Sequence, residues 1–111
     1  MGIKDKIFDM MRSRKVNKIH LNYLIDLGDE CYDGEIIPIT CDTIELDDDE
    51  IIIYDSSMEN EDGSVDDWDK YRFESLDEGQ QKEILWSLKS TYVKKLLKLV
   101  NKLNKVIDLF V

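Results

Sequence analysis

Three hydrophobic periods succeed one another along the chain. Ile3, Ile7, Met10, Met11 and Arg14 recur at helical spacing, which predicts a short amphipathic helix over residues 3–15 with basic residues toward its end. From Lys18 to Leu27 the period drops to two: Ile19, Leu21, Tyr23, Ile25 and Leu27 alternate with Lys18, His20, Asn22 and Asp26, the pattern of a strand with one buried face. Gly28-Asp29-Glu30 and Asp33-Gly34 punctuate a turn. Two isoleucine-rich runs, Ile36–Leu46 and Glu50–Asp55, then read as a hairpin joined by Asp47-Asp48-Asp49, with Pro38 restricting the first run to an edge or an irregular start. The simplest sheet is a three-stranded antiparallel meander. Ser56–Asp67 reads as a solvated loop, and Trp68, Tyr71 and Phe73 after it as a fourth strand or an extended segment laid across the core, with the rings in the core.

The last period is helical and long. Ser75-Leu76-Asp77-Glu78 fits a capping box, in which Ser75 would satisfy one free backbone N–H and Glu78 would reach back to another. No proline or turn signature follows. An unbroken helix from there to the end would measure about 54 Å at 1.5 Å per residue, against a radius of gyration of about 13 Å for a compact domain of this size. Either the chain breaks near Lys89-Ser90-Thr91, or the distal half projects and finds a partner. Leu85, Leu88, Tyr92, Leu96, Leu99, Val100, Leu103, Val106, Ile107 and Phe110 share one side; Lys94, Lys95, Lys98, Lys102 and Lys105 take the other. With Trp86, Val93 and Leu97 the apolar arc covers about half the circumference, wider than the roughly 100° stripe a surface helix buries. Leu96, Leu99, Leu103, Val106 and Phe110 are therefore the candidate self-association face.

These elements predict an α+β fold in one domain of 111 residues: an N-terminal helix (1–15), an acidic sheet region (16–74) with three or four antiparallel strands, and a basic amphipathic region (75–111) forming one long or two consecutive helices packed on one sheet face. Composition agrees with a folded protein, since 42% of residues are apolar. No run approaches the 18 or so apolar residues of a membrane span, and the N-terminus lacks a secretory pattern, which leads to the expectation of a cytoplasmic protein.

Charge changes the picture most. The formal net charge is −10, divided as +4 over residues 1–25, −19 over 26–79 and +5 over 80–111. A concentrated negative field attracts and steers basic partners, whereas dispersed charge mainly confers solubility. In outline the chain is similar to small acidic inhibitors of phage and mobile elements, among them anti-restriction and anti-CRISPR proteins, and to immunity proteins that block basic toxin nucleases. That likeness is one of composition and covers no motif.

Catalytic chemistry finds little support. There is no Gly-rich phosphate loop, no G-x-S-x-G and no H-E-x-x-H, and His20 has no nucleophile placed beside it by a motif. Twelve residues from Met58 set Asn60, Asp62, Gly63, Asp66 and Asp69 at EF-hand loop positions 3, 5, 6, 9 and 12, but Met58 stands where the first Asp is required and Asp69 where a bidentate Glu belongs. Cys31 and Cys41 lack metal-site spacing and read as free thiols. Direct nucleic-acid binding would meet repulsion from the acidic centre. The expectation is a non-enzymatic interaction protein without cofactor or metal, binding a basic protein surface through Asp47, Asp48, Asp49, Glu50, Glu59, Glu61, Asp62, Asp66, Asp67 and Asp69. Two alternatives stand beside it: a nucleic-acid mimic or immunity-type inhibitor, and a peripheral membrane protein using the C-terminal amphipathic helix, the latter disfavoured because such a helix would be needed to cover the sheet.

Overall fold

The computed structural model describes residues 2–110. It is an α+β fold: helix α1 (Ile3–Arg12), strands β1 (Lys18–Tyr32), β2 (Glu35–Asp47), β3 (Glu50–Tyr54) and β4 (Tyr71–Arg72), and helix α2 (Glu78–Phe110). The strands form one antiparallel sheet in the order β1-β2-β3-β4, the expected meander completed by a two-residue fourth strand. Both hairpins have two-residue turns. Asp33 and Gly34 take positive φ (52° and 79°) between the paired Tyr32 and Glu35, the backbone a tight hairpin needs and an Asp-Gly pair supplies.

Three details depart from the periodicity. Gly28-Asp29-Glu30 is not the turn; β1 continues through it to Tyr32, with Gly28 (φ 97°) absorbing a register shift between Asp26 and Asp29. A glycine in a strand marks a bulge as readily as a turn, and only cross-strand pairing separates the two. A second shift, between His20 and Ile25, throws Asn22, Tyr23 and Leu24 outward. Pro38 lies in a strand that has neighbours on both sides, but β3 pairs only with Thr43–Asp47, so the Pro38 half of β2 is bordered by β1 alone.

The front of the sheet presents Ile19, Leu21, Ile25, Leu27, Cys41, Ile44, Ile51 and Ile53, which bury against Ile7, Phe8 and Met11 of α1, Phe73, and Ile84, Leu85 and Leu88 of α2. The reverse face buries Thr43, Tyr54 and Val65 beneath the acidic loop. α2 is capped two residues later than the capping box predicts. Asp77 is the cap: its Oδ1 accepts from Gln80 N (2.8 Å), while Gln80 Oε1 accepts from Asp77 N (3.1 Å). Ser75 instead donates to Arg72 O in a short 3₁₀ turn over Phe73–Ser75. The reciprocal logic is that of the box, with Asp and Gln in the two roles.

No break occurs at Lys89-Ser90-Thr91. α2 runs 33 residues without interruption, and it buries side chains only as far as Thr91. Thr91 Oγ1 donates to Ser87 O (2.8 Å) and accepts from Asn22 N (3.2 Å), which ties the helix to the outward-thrown part of β1. Beyond it every residue from Val93 to Phe110 is exposed. The longest dimension is accordingly 64 Å and the radius of gyration 16.7 Å, well above the roughly 13 Å of a compact chain of this length.

Two neighbours on α2 should respond oppositely to loss of a hydroxyl. Ser87 Oγ is buried without a hydrogen-bond partner among the described residues, so Ser87→Ala is expected to raise stability by about 1 kcal/mol in urea unfolding. Thr91→Val strands the Asn22 amide and should lower it by about 1–3 kcal/mol.

Candidate acidic interaction surface

The ten predicted carboxylates form two groups at opposite ends of β3. Asp47, Asp48, Asp49 and Glu50 occupy the β2–β3 turn, whereas Glu59–Asp69 follows the other end of that strand. Four residues of strand, about 13 Å, separate Glu50 from Tyr54. The hairpin tip and the loop that the sequence distinguishes thus lie apart in the fold.

Several of these groups are already engaged. Arg72 holds Glu50 in an ion pair, and Arg12 Nη2 donates to Asp48 O (2.9 Å). Lys18 Nζ donates to Glu59 Oε1 at 2.9 Å. That bond, more than the charge attraction beside it, holds the Glu59 carboxyl below its ordinary range and raises the lysine's own. Asp62 accepts from the Ser64 hydroxyl (2.6 Å) and amide (3.0 Å), which lowers its carboxyl similarly. Asp66 accepts a long bond from Asn60 Nδ2 (3.4 Å). Asp47, Asp49, Glu61, Asp67 and Asp69 have no ion-pair partner among the described residues, and neither does the carboxylate of Asp48.

A polar chain that the sequence did not foretell fastens the acidic loop to the sheet. Asp42 accepts from Ser56 N (2.7 Å), Ser56 Oγ (2.6 Å) and Thr43 Oγ1 (2.9 Å). Because the Thr43 hydroxyl gives its one proton to Asp42, His20 Nδ1, 2.8 Å from Thr43 Oγ1, must carry the hydrogen it donates. Thr40 Oγ1 donates to Asp55 Oδ2 (2.8 Å), and Ser57 gives its amide and hydroxyl to Asp55 Oδ1. Burial alone would raise the Asp55 carboxyl; these bonds outweigh it and hold the group low. His20 is thus a tether on the reverse face, and the hydroxyl beside it, that of Thr43, is committed to Asp42. The two cysteines are free. Cys31 is exposed near the β1–β2 turn, while burial, with Asp42, Glu83 and Asp55 adding repulsion, pushes the Cys41 thiol up to about 12.

The most shaped part of this surface lies where the sequence placed core. Trp68 is 78% exposed, a correction to its predicted burial; of the three aromatics only Phe73 is fully enclosed, and Tyr71 is half-buried. The physical cause is the shortness of β3, which leaves the outer half of β2 paired with β1 alone. The 3₁₀ turn Asp67–Asp69 and β4 run alongside that gap. A cleft of about 440 Å³ results, lined by Glu30 and Tyr32 of β1, Ile37 of β2, Trp68 and Asp69 of the turn, and Tyr71 of β4. Burial, and then the negative charges of Glu30 and Asp69, push the Tyr71 phenol above its ordinary range, which keeps it neutral. Aromatic walls and two carboxylates suit a cation with a flat or flexible apolar stem, because the ring faces and the negative charges attract it together. Of these six residues, the sequence reading had singled out Asp69 alone as a site residue. The others are dispersed over 42 positions, and no local pattern joins them.

The chain matches no family model, no curated protein and no solved structure.

Two outcomes follow from the geometry. A thiol reagent should modify Cys31 promptly in the native protein and Cys41 only on unfolding, giving one equivalent and then two. Because Glu59 and Asp55 titrate lower when folded than unfolded, their contribution is complete above the ordinary carboxylate range and is lost as pH falls through their folded values. Protection of residues 56–66 against hydrogen exchange, taken relative to the intrinsic rate at each pH, should therefore fall on acidification below about pH 4, and Lys18→Met should lower that protection already at neutral pH and flatten its acid dependence.

Proposed function

We propose that this is a non-enzymatic interaction protein that binds a basic surface of another protein, gripping one arginine or lysine side chain in the Tyr32–Trp68–Tyr71 cleft. The carrying observation is the cleft itself: an exposed tryptophan, two tyrosines and the Glu30 and Asp69 carboxylates around one opening. A solvated acidic face needs no aromatic rings, and Trp68 does not stand singly but joins Tyr32, Ile37 and Tyr71 in one opening. Tryptophan, tyrosine and arginine are also the residue types that dominate binding energy at protein interfaces.

The surrounding carboxylates have a different part. Glu61 and Asp67, on the loop that leads into the Asp67–Asp69 turn, are exposed and would raise the encounter rate and favour basic partners while adding little to the lifetime of the complex. Asp47, Asp48 and Asp49 lie beyond the far end of β3 and would act at long range. Glu50 and Glu59 already hold Arg72 and Lys18, so they would contribute least. A groove that ordinarily takes nucleic acid is one kind of basic surface that fits this description, and competition by the partner's nucleic acid identifies that case.

The test uses a partner captured from the native cell or its host, or an arginine-rich peptide as a surrogate. Trp68→Ala is expected to weaken binding about 10- to 100-fold, in keeping with loss of an interface hot spot of roughly 1.4–2.7 kcal/mol. Asp47→Asn with Asp48→Asn and Asp49→Asn should lower the association rate and leave dissociation nearly unchanged. Raising salt from about 50 to about 500 mM should weaken the wild-type complex strongly. Binding indifferent to both Trp68→Ala and salt sinks the proposal.

A further inference from the structure

The distal half of α2 is an amphipathic rod whose side chains, from Val93 to Phe110, are all exposed among the described residues. Val93, Leu96, Leu97, Leu99, Val100, Leu103, Val106, Ile107 and Phe110 are between 46% and 86% exposed. At about 60–100 Å² for each apolar side chain, nine of them offer roughly 700 Å². That approaches the 800 Å² or so that each partner contributes to a standard interface.

The order of residues along the rod narrows the occupant. Val93, Val100 and Ile107 stand seven apart, with Leu96, Leu103 and Phe110 interleaved at the 3,4 spacing of a coiled-coil seam: β-branched residues at one core position, and Leu, Leu and Phe at the other. Leu99 and Val106 flank one edge of that seam, Leu97 and Asn104 the other. All five lysines, Lys94, Lys95, Lys98, Lys102 and Lys105, fall at the three outer positions. Two such rods can meet without setting lysine against lysine. An anionic lipid surface is a poorer match. It would want cations along both borders of the apolar arc, yet beyond Leu97 the border carries Asn104 and Asp108.

Charge then selects the direction. Residues 93–110 carry five lysines and Asp108, a net +4, so the remainder of the chain carries −14. Parallel pairing would set two such bodies side by side. Antiparallel pairing places them at opposite ends of a rod about 27 Å long, several times the roughly 8 Å screening length, and turns each positive rod toward the other's negative body. The base of the rod also offers a seat: Arg14, Tyr92, Val93, Lys95, Leu96 and Leu99 line a groove of about 300 Å³, with the Arg14 guanidinium 4.1 Å from the Tyr92 ring centre. It continues the apolar line from the buried Leu88 outward.

We infer that the distal half of α2 packs antiparallel against the same segment of a second copy of this chain. Val93 then meets Phe110 of the second copy, Leu96 meets Ile107 and Val100 meets Leu103, so each residue of one core position opposes one of the other. Phe110 closes onto the groove at its partner's base.

Light scattering on the full chain at tens of micromolar should give about 26 kDa, twice the 13.1 kDa chain. Val100→Glu with Leu103→Glu should return it to one chain mass while the unfolding transition of the sheet stays cooperative, since both residues lie on the rod beyond the groove that Arg14 helps to line. Direction is read by disulfides in a Cys31→Ser background. Chains carrying Val93→Cys and chains carrying Phe110→Cys should cross-link when mixed, and neither kind should do so alone. A single-chain mass for the wild type overturns the inference, as does a single-chain mass with flotation on anionic vesicles. Cross-linking of Val93→Cys to itself overturns the antiparallel arrangement.

Discussion

Everything in this molecule hangs on how much of a helix one small sheet can cover. The isoleucines of β2 and β3 need an apolar lid, and α1 together with the first four turns of α2 supply it through Ile7, Phe8, Met11, Ile84, Leu85 and Leu88. Once Thr91 has accepted the Asn22 amide, no front face remains, yet the helix continues for about five more turns. The hydrophobic effect that fastens the first half gives the second half nothing to lie on.

Most of the architecture was legible because the period changes were clean. Two-residue alternation through Ile19–Leu27 and the isoleucine runs marked three strands, and the absence of proline after Ser75 marked a helical region while leaving open whether it was one helix or two. The misreadings share one cause, namely that local pattern carries no information about which neighbour a residue meets. Gly28 reads as a turn until Asp29 is seen to pair with Pro38. Ser75 and Asp77 are both good caps, and the choice falls on Asp77 because Gln80 reciprocates. Trp68 reads as core because aromatic residues usually are, and it stands in water because β3 stops five residues after it starts.

The candidate surface was legible in charge but not in shape. Counting carboxylates located the negative region, and turn signals split it between a hairpin tip and a loop, but which carboxylates are engaged depends on which cations fold back onto them: Arg72 onto Glu50, Lys18 onto Glu59, Lys4 onto Glu74. Exposed pairs of this kind add little stability. Their larger effect is to set which carboxylates stay free for a partner. The cleft draws on β1, β2, the Asp67–Asp69 turn and β4 at once, a juxtaposition that only the meander creates.

The outer strand β1 has a further consequence. Fifteen residues long and unpaired along one side, it offers another chain a row of backbone donors and acceptors onto which a sheet could grow without limit. The two register shifts interrupt that row, and Asp26, Asp29 and Glu30 stand along its outer half. Copies approaching edge to edge would bring those carboxylates together, so the acidity of the strand also keeps the sheet finite.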